Sequence, residues 1–176
     1  DRQKRVVDHM RKSIPNLTFR TAFIVGHPGE TDEEFQELCD FVEWAQFEHV
    51  GVFRYSDEET CKSSLLDAKV DPKVASARYR KLMSLQRKIA RNANKKLRGK
   101  ELEVLVEGES DEHEFVMKGR HAGQAPEIDG SVFLSGGDCR AGEIRRVLIS
   151  QTSDYDLVGE LVGDPLRGGS TAKRTK

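Results

Sequence analysis

The sequence lacks a long hydrophobic run, because no stretch approaches the roughly 20 consecutive apolar residues that a membrane span requires. Its start, DRQKRVVDHMRK, is charged and patterned like a helix, which predicts no signal peptide. Cysteine is scarce: Cys39, Cys61 and Cys139 lie far apart and match no metal-ligand spacing. These features predict reduced thiols in a cytoplasmic protein, with no membrane partner and no metal site of its own. The chain also begins without Met inside a periodic segment, so we expect it to be part of a longer protein.

Net charge is small over the whole chain, −1, but it is unevenly distributed. Residues 1–100 carry 20 Lys and Arg against 15 Asp and Glu, whereas residues 101–163 carry 5 against 14, a net of −9. Residues 164–176 carry 4 against 1. A change of sign this sharp predicts a domain boundary near Gly99.

The first hundred residues alternate between helix and strand patterns. Apolar residues at spacings of three and four predict helices, and runs of β-branched and aromatic residues predict strands. The predicted elements are helix 2–13, strand 17–25, helix 33–47, strand 49–55 and helix 72–97. This order predicts an α/β fold with a parallel sheet. Parallel sheets are covered on both faces, so two strands should not be stable alone, and we expect further strands outside this chain.

The remaining sequence has short alternating segments separated by Gly, Asp and Ser. The predicted strands are 101–106, 115–118, 131–134, 144–149 and 155–162. Five short strands in about 63 residues predict a small antiparallel barrel of the OB-like type. The predicted domains are therefore 1–98 (α/β), 99–163 (all-β barrel) and 164–176, a disordered tail.

The stretch TAFIVGHPGETDEEF (Thr21–Phe35) joins a predicted strand to a predicted helix. Gly26 and Gly29 permit backbone conformations with positive φ or a close approach to a ligand. Thr31 followed by Glu34 predicts a capping box at the helix start. Because that cap and the nearby carboxylates disfavour phosphate, the turn better suits a neutral or cationic ligand such as a nucleoside or a sulfonium. A plain capped turn without a ligand is the alternative.

Several motifs, taken in order, resemble one enzyme family. IVGHPGETDEEF and VGVFRYS resemble the last part of the radical SAM barrel in methylthiotransferases. APEIDG, AGEIRRVLI and YDLVGE resemble the TRAM domain that follows that barrel. The resemblance covers nearly the whole chain. It implies that residues 1–98 are the C-terminal piece of a radical SAM (β/α) barrel and that residues 99–163 are a five-stranded TRAM barrel.

The resemblance also implies cofactors for the full-length protein: S-adenosylmethionine and [4Fe–4S] clusters. Gly26, Pro28, Gly29 and Glu30 match the motif that, in the family, helps to shape the S-adenosylmethionine pocket. The cluster ligands, a Cys-x-x-x-Cys-x-x-Cys loop and a second cysteine set, are absent from this chain. We therefore expect the chain alone to be inactive and assign it no catalytic residue.

Within the family, the motifs look most like the members that methylthiolate the β-carbon of an aspartate in a small-subunit ribosomal protein. The acidic barrel segment agrees with a basic protein partner, because an RNA-gripping barrel should be basic. Glu127 and Asp129 are the candidate substrate contacts. Residues 73–98 hold ten Lys and Arg and no acid, so they are a surface for ribosomal RNA, a solvated face or a surface that contacts the acidic barrel. A relative that modifies tRNA adenosine and a non-enzymatic binding module are the alternatives.

Overall fold

The computed structural model describes residues 2–58, 60–111 and 116–167. The chain divides into two compact units, Asp1–Ala90 and Arg91–Lys176, so this division falls eight residues before the boundary predicted at 98. Of the predicted tail, residues 164–167 belong to the last strand, and residues 168–176 lie outside the described residues. Within the described part of the chain, no helix is both long and apolar enough to cross a membrane.

The first unit alternates helices and strands, as the sequence predicts. Its elements are α1 (Arg2–Ser13), β1 (Arg20–Val25), α2 (Asp32–Ala45), β2 (His49–Arg54), a 3₁₀ helix (Lys62–Leu65) and α3 (Pro72–Lys95), which continues into the second unit. The strands β1 and β2 pair in parallel, with Arg20 opposite His49 and Val25 opposite Arg54. The predicted first strand began at residue 17, whereas the pairing begins at Arg20.

The helices α2 and α3 bury stripes of residues spaced three and four apart. In α2, the buried stripe is Phe35, Cys39, Val42 and Ala45. In α3, Ala75, Leu82 and Ile89 are buried, and so are the polar residues Arg78 and Gln86. Val25, Phe35, Cys39, Val42, Val52, Leu82 and Ile89 form one core cluster. Gln86 donates from Nε2 to the carbonyls of Phe47 (3.0 Å) and Glu48 (3.2 Å), so its burial satisfies backbone acceptors.

One face of the β1–β2 sheet is bare. Side chains alternate along a strand, so Val25 and Val52 face the core while Ile24 and Phe53 point the other way. Ile24 and Phe53 are directly opposite each other in the register, and they are 58% and 59% exposed. Exposure of a paired Ile and Phe leaves an apolar face without a cover in this unit.

The second unit contains a closed five-stranded barrel, which confirms that prediction. Its strands are β3 (Glu101–Glu109), β4 (Met117–His121), β5 (Val132–Ser135), β6 (Ile144–Thr152) and β7 (Leu157–Arg167), in the spatial order β3-β4-β5-β7-β6. All pairings are antiparallel except β5 with β7, which is parallel. The strand predicted at 115–118 begins at Met117, and Phe115 lies outside the described residues.

Period-two alternation fills the barrel interior. Val104 and Val106 of β3 are buried, whereas Glu101, Glu103 and Glu107 are exposed. The interior cluster consists of Val104, Val106, Val132, Leu134, Val147, Ile149 and Leu157. Five strands therefore close around a small aliphatic core. Most of their polar side chains lie on the outside, but Arg145 of β6 is buried.

Candidate functional site

The turn that follows β1 begins α2 with the predicted capping box. Thr31 Oγ1 accepts from the Glu34 amide at 3.2 Å, and Glu34 Oε2 accepts from the Thr31 amide at 2.9 Å. Two of the first amides of this helix are thus satisfied reciprocally. The side chains of Thr31 and Glu34 therefore cap the N-terminus of α2.

Three further amides of the turn are also occupied. The Gly26 amide donates to Glu30 Oε2 at 2.6 Å. The Gly29 amide donates to the Ala68 carbonyl at 2.7 Å, and the Glu30 amide to the His27 carbonyl at 2.9 Å. A phosphate-binding turn needs amides that point at the ligand without another acceptor. These bonds support the inference that this turn is not a phosphate loop.

Arg78 of α3 holds the turn from the other side. Its Nη1 donates to Glu30 Oε2 at 2.6 Å and to the Glu30 carbonyl at 3.0 Å, and its Nη2 donates to Asp32 Oδ1 at 2.7 Å. The side chains of Arg78 and Glu30 are only 7% and 12% exposed, whereas that of Asp32 is 88% exposed. Burial acts to lower the pKa of Arg78, but its bonds to Asp32 and Glu30 outweigh burial and raise that pKa. Arg78 therefore stays charged and clamps the turn.

Packing against α3 requires glycine at position 26. Its φ is +79°, in the left-handed region, and a Cβ built there would lie 2.5 Å from the Ala75 Cβ. Only glycine lets the turn approach α3 this closely. Gly29, with φ +87°, has open space where a Cβ would be.

An open groove of about 1000 Å³ lies at the carboxyl ends of β1 and β2. Its lining includes Gly26, Pro28, Phe53, Arg54, Tyr55, Ser56, Asp57, Lys69, Ser76, Tyr79 and Arg80. Ligands of parallel α/β sheets bind at this edge, outside the carboxyl ends of the strands. The lining combines three aromatic rings, hydroxyl groups and charges of both signs, a mixture suited to an amphipathic ligand of nucleoside type.

The loop after β2 shapes one side of this groove. Tyr55 Oη is within hydrogen-bond distance of Asp57 Oδ1 (3.2 Å) and Ser63 Oγ (3.1 Å). Lys69 Nζ donates to Asp57 Oδ2 at 2.6 Å, and this bond lowers the pKa of the exposed Asp57 carboxyl. The exposed His27 ring meets the Tyr55 ring edge-on, with centroids 5.3 Å apart. Hydrogen bonds thus join residues within the loop, and the contact between the His27 and Tyr55 rings connects the loop to the turn.

The predicted ligand-binding residues separate into two sets. Gly26 and Pro28 line the groove, whereas Gly29 and Glu30 do not. The Glu30 carboxylate is used inside the turn, where it accepts from Gly26 and Arg78. Sequence reasoning missed Arg78, although a signal was present: it lies three residues after Ala75 and four before Leu82, within the buried stripe of α3.

The cysteines are placed apart, as their spacing predicts. Cys39 is buried in the α/β core, Cys61 is exposed, and Cys139 is half-buried beside the barrel core. Burial raises the pKa of both Cys39 and Cys139. Across residues 2–58, 60–111 and 116–167, no three His, Cys, Asp or Glu side chains are grouped to hold a metal ion.

The two predicted substrate contacts lie in the loop between β4 and β5, and they differ in environment. Glu127 is exposed and has a φ of +63°. Asp129 is half-buried, and its Oδ2 accepts from the Ala125 amide at 2.7 Å. Glu127 is thus presented to solvent, whereas Asp129 helps to build the loop.

Comparison with known proteins connects both units to one group of enzymes. Residues 99–162 match the family model of the TRAM domain. A protein of Sorangium cellulosum (strain So ce56) named ribosomal protein uS12 methylthiotransferase RimO is 65% identical over 168 residues, which is 96% of this chain and 34% of that protein. Proteins of the same name from Solibacter usitatus (strain Ellin6076) and Myxococcus xanthus (strain DK1622) are 50% and 47% identical, over 90% and 92% of this chain and 35% and 34% of their own lengths.

The chain thus spans about a third of the length of these relatives. The predicted resemblance to the C-terminal part of the methylthiotransferases, and to RimO in particular, is confirmed. The TRAM domain predicted from the second set of motifs is confirmed as well.

Proposed function

We propose that this chain is the C-terminal part of an enzyme that adds a methylthio group to the β-carbon of an aspartate in ribosomal protein uS12. The observation that carries the proposal is the similarity, across 96% of the chain, to a protein named as a uS12 methylthiotransferase. Because the chain spans 34% of that protein, the activity is proposed for the parent protein in the cytoplasm and not for these residues alone.

The first unit is proposed to be the last strand–helix repeats of a radical SAM (β/α) barrel. Two parallel strands with a groove at their carboxyl ends support this assignment, since barrel enzymes place their sites there. The bare face formed by Ile24 and Phe53 supports it further. Strands contributed by the rest of such a barrel would cover that face and pair with the sheet edges.

The groove has the chemistry to form one wall of a pocket for S-adenosylmethionine, which the family cleaves reductively. Tyr55 offers a face for a nucleobase, and Ser56 and Asp57 offer hydroxyl and carboxylate acceptors. Gly26 and Pro28 border the same space. Gly29 and Glu30 would act indirectly, by holding the turn in shape.

The iron–sulfur clusters implied by the family do not fit this chain. Cys39 is buried in an apolar core, and Cys61 and Cys139 belong to different units. Cluster ligation requires several thiolates around one site. The proposal therefore assigns both clusters to other parts of the parent protein.

The TRAM domain is proposed to contact the protein substrate. The net charge of −9 over residues 101–163 favours a basic protein and disfavours an RNA backbone. Glu127 is an exposed carboxylate on this domain. Ribosomal RNA is a further proposed partner, for the basic residues of α3.

The test uses the complete gene product, reconstituted with iron and sulfide without oxygen. Incubation with S-adenosylmethionine, sulfide as the sulfur donor, a low-potential electron donor and uS12 should replace one hydrogen of one uS12 aspartyl peptide by a methylthio group, which mass spectrometry detects, and a catalytic-cluster cysteine variant should not. Modification of tRNA adenosine in place of uS12, or the absence of both cysteine sets from the complete gene, would overturn the proposal.

A further inference from the structure

The loop between β4 and β5 presents a large apolar side chain to solvent. Ile128 is 74% exposed, on a domain whose other aliphatic residues mainly fill the barrel interior. A single exposed aliphatic residue needs no explanation by itself. Ile128 differs from other exposed aliphatic residues because hydrogen bonds fix the backbone of the loop that carries it.

Hydrogen bonds within the loop fix its backbone. Gln124, only 6% exposed, donates from Nε2 to the Gly130 carbonyl at 2.6 Å and accepts from the His121 amide at 3.0 Å. The Asp129 carboxylate adds its bond to the Ala125 amide. These bonds tie both ends of the loop together around Ile128. A loop that is already ordered loses less conformational entropy when a partner binds it.

A second apolar side chain is fixed to the same end of the barrel. Tyr155 is 44% exposed, and its carbonyl oxygen lies so close to Gly130 that any Cβ at that position would clash. The Ser131 amide also donates to Asp156 Oδ1 at 2.9 Å. The backbone around Tyr155 is therefore packed against the end of the Ile128 loop.

Charge indicates what kind of partner this surface suits. Glu127, next to Ile128, is exposed, and the surrounding segment 101–163 carries a net of −9. An aliphatic and an aromatic side chain near the exposed Glu127 carboxylate, on a segment of net negative charge, match a basic protein segment that offers an apolar side chain or pocket. An RNA strand would meet repulsion from the same carboxylates.

We propose that Ile128 is the apolar anchor of a docking site for a basic protein, that Tyr155 lies beside it, and that Glu127 steers the approach. Asp129 is a positioning residue, because its carboxylate shapes the loop. The identity of the partner, uS12, rests on the proposed function. The assignment of Ile128 as the anchor is new. It makes Ile128, rather than Glu127 or Asp129, the main contact with the partner.

The experiment measures binding of the full-length parent protein to uS12 by calorimetry at about 0.15 M salt. Ile128→Ala should raise the Kd roughly thirtyfold, the loss expected of a central interface residue. Leu65→Ala is the matched control, because Leu65 is 81% exposed in the other unit, and its Kd should equal that of the wild type. Poly-lysine, a probe of charge alone, should bind the wild type and Ile128→Ala equally. Glu127→Gln should slow association about two- to threefold.

Each outcome decides a separate point. If Ile128→Ala binds uS12 as the wild type does, the anchor is wrong and the proposed function is unaffected. If the wild type binds RNA but not uS12, the proposed substrate contact fails and the anchor fails with it. In the full-length protein, Ile128→Ala should leave the urea midpoint unchanged. A lowered midpoint would mean that Ile128 packs against another part of the same protein, which also refutes the docking site.

Discussion

Replacement of Arg78 by Met tests whether the clamp on the turn stabilises the first unit. Met keeps much of the apolar bulk of the side chain but removes the guanidinium that contacts Glu30 and Asp32. The Glu30 carboxylate, 12% exposed, then loses its cationic partner and keeps its bond from the Gly26 amide. An unpaired carboxylate that is this well buried is costly.

The expected loss of unfolding free energy is about 3 kcal/mol. Removing one partner of a buried ion pair costs roughly 3–5 kcal/mol, and the remaining exposure of Glu30 favours the lower end. The contact with Asp32, which is 88% exposed, adds little because solvent screens it. The variant should therefore have a lower urea midpoint than the wild type.

The assay is urea unfolding followed by tryptophan fluorescence. Trp44 is the single tryptophan of the sequence and lies in α2, so its signal reports on the first unit. Arg80→Met is the matched control, because Arg80 is an exposed arginine of the same helix, and it should stay within about 0.5 kcal/mol of the wild type. Adding Glu30→Gln to the Arg78 variant should recover about 1–2 kcal/mol, since it removes the unpaired charge.

The clamp is refuted if the Arg78 and Arg80 variants unfold at the same urea concentration. The clamp is also refuted if Glu30→Gln lowers the unfolding free energy of the Arg78→Met variant by as much as it lowers that of the wild type. Simple additivity would mean that the two side chains do not stabilise each other, whatever their distance in the structure.

Two further predictions concern the same unit. Gly26→Ala should cost about 3 kcal/mol and Gly29→Ala about 1 kcal/mol by urea unfolding, because both have positive φ but only Gly26 would clash with Ala75. Equal costs would contradict the packing role of Gly26. Burial raises the pKa of Cys39 above its ordinary 9.0, so the folded state keeps a proton that the unfolded chain releases. The contribution of Cys39 to the free energy of unfolding should therefore be fully present below about pH 9 and be lost as the pH rises further. The free energy of unfolding should fall less with pH in Cys39→Ala than in the wild type. In Cys61→Ala, which replaces an exposed cysteine, it should fall as much as in the wild type.

Features that depend on local sequence were predictable. The α2 stripe and the Thr31–Glu34 capping box follow from spacings of three and four residues, and both are present. The barrel strands follow from alternation, because small aliphatic residues must face inward. Boundaries shifted by a few residues where pairing decides them: β1 begins at Arg20 because that residue is opposite His49, the first residue of β2.

The site was less predictable because its chemistry depends on contacts distant in sequence. Glu30 belongs to a recognisable motif, but its carboxylate accepts from Arg78, 48 residues away. No local sequence pattern shows that the Glu30 carboxylate already accepts a hydrogen bond from a residue distant in sequence. The same limit applies to Asp129, whose partner is a backbone amide, and to Ile128, whose neighbours alone give no indication that the loop is rigid.

The net charge of the whole second unit favours a basic partner less strongly than the net charge of residues 101–163 does. The unit 91–176 contains 14 Lys and Arg against 15 Asp and Glu, a net of only −1. Arg91 donates to Asp154 at 2.5 Å, so part of the acidic charge is neutralised by a residue outside the segment 101–163. Attraction of a basic protein must therefore be local and short-ranged, since salt screens exposed charges beyond about 8 Å. Affinity should then depend more on Ile128 than on the total charge, so higher salt should weaken uS12 binding less than Ile128→Ala does.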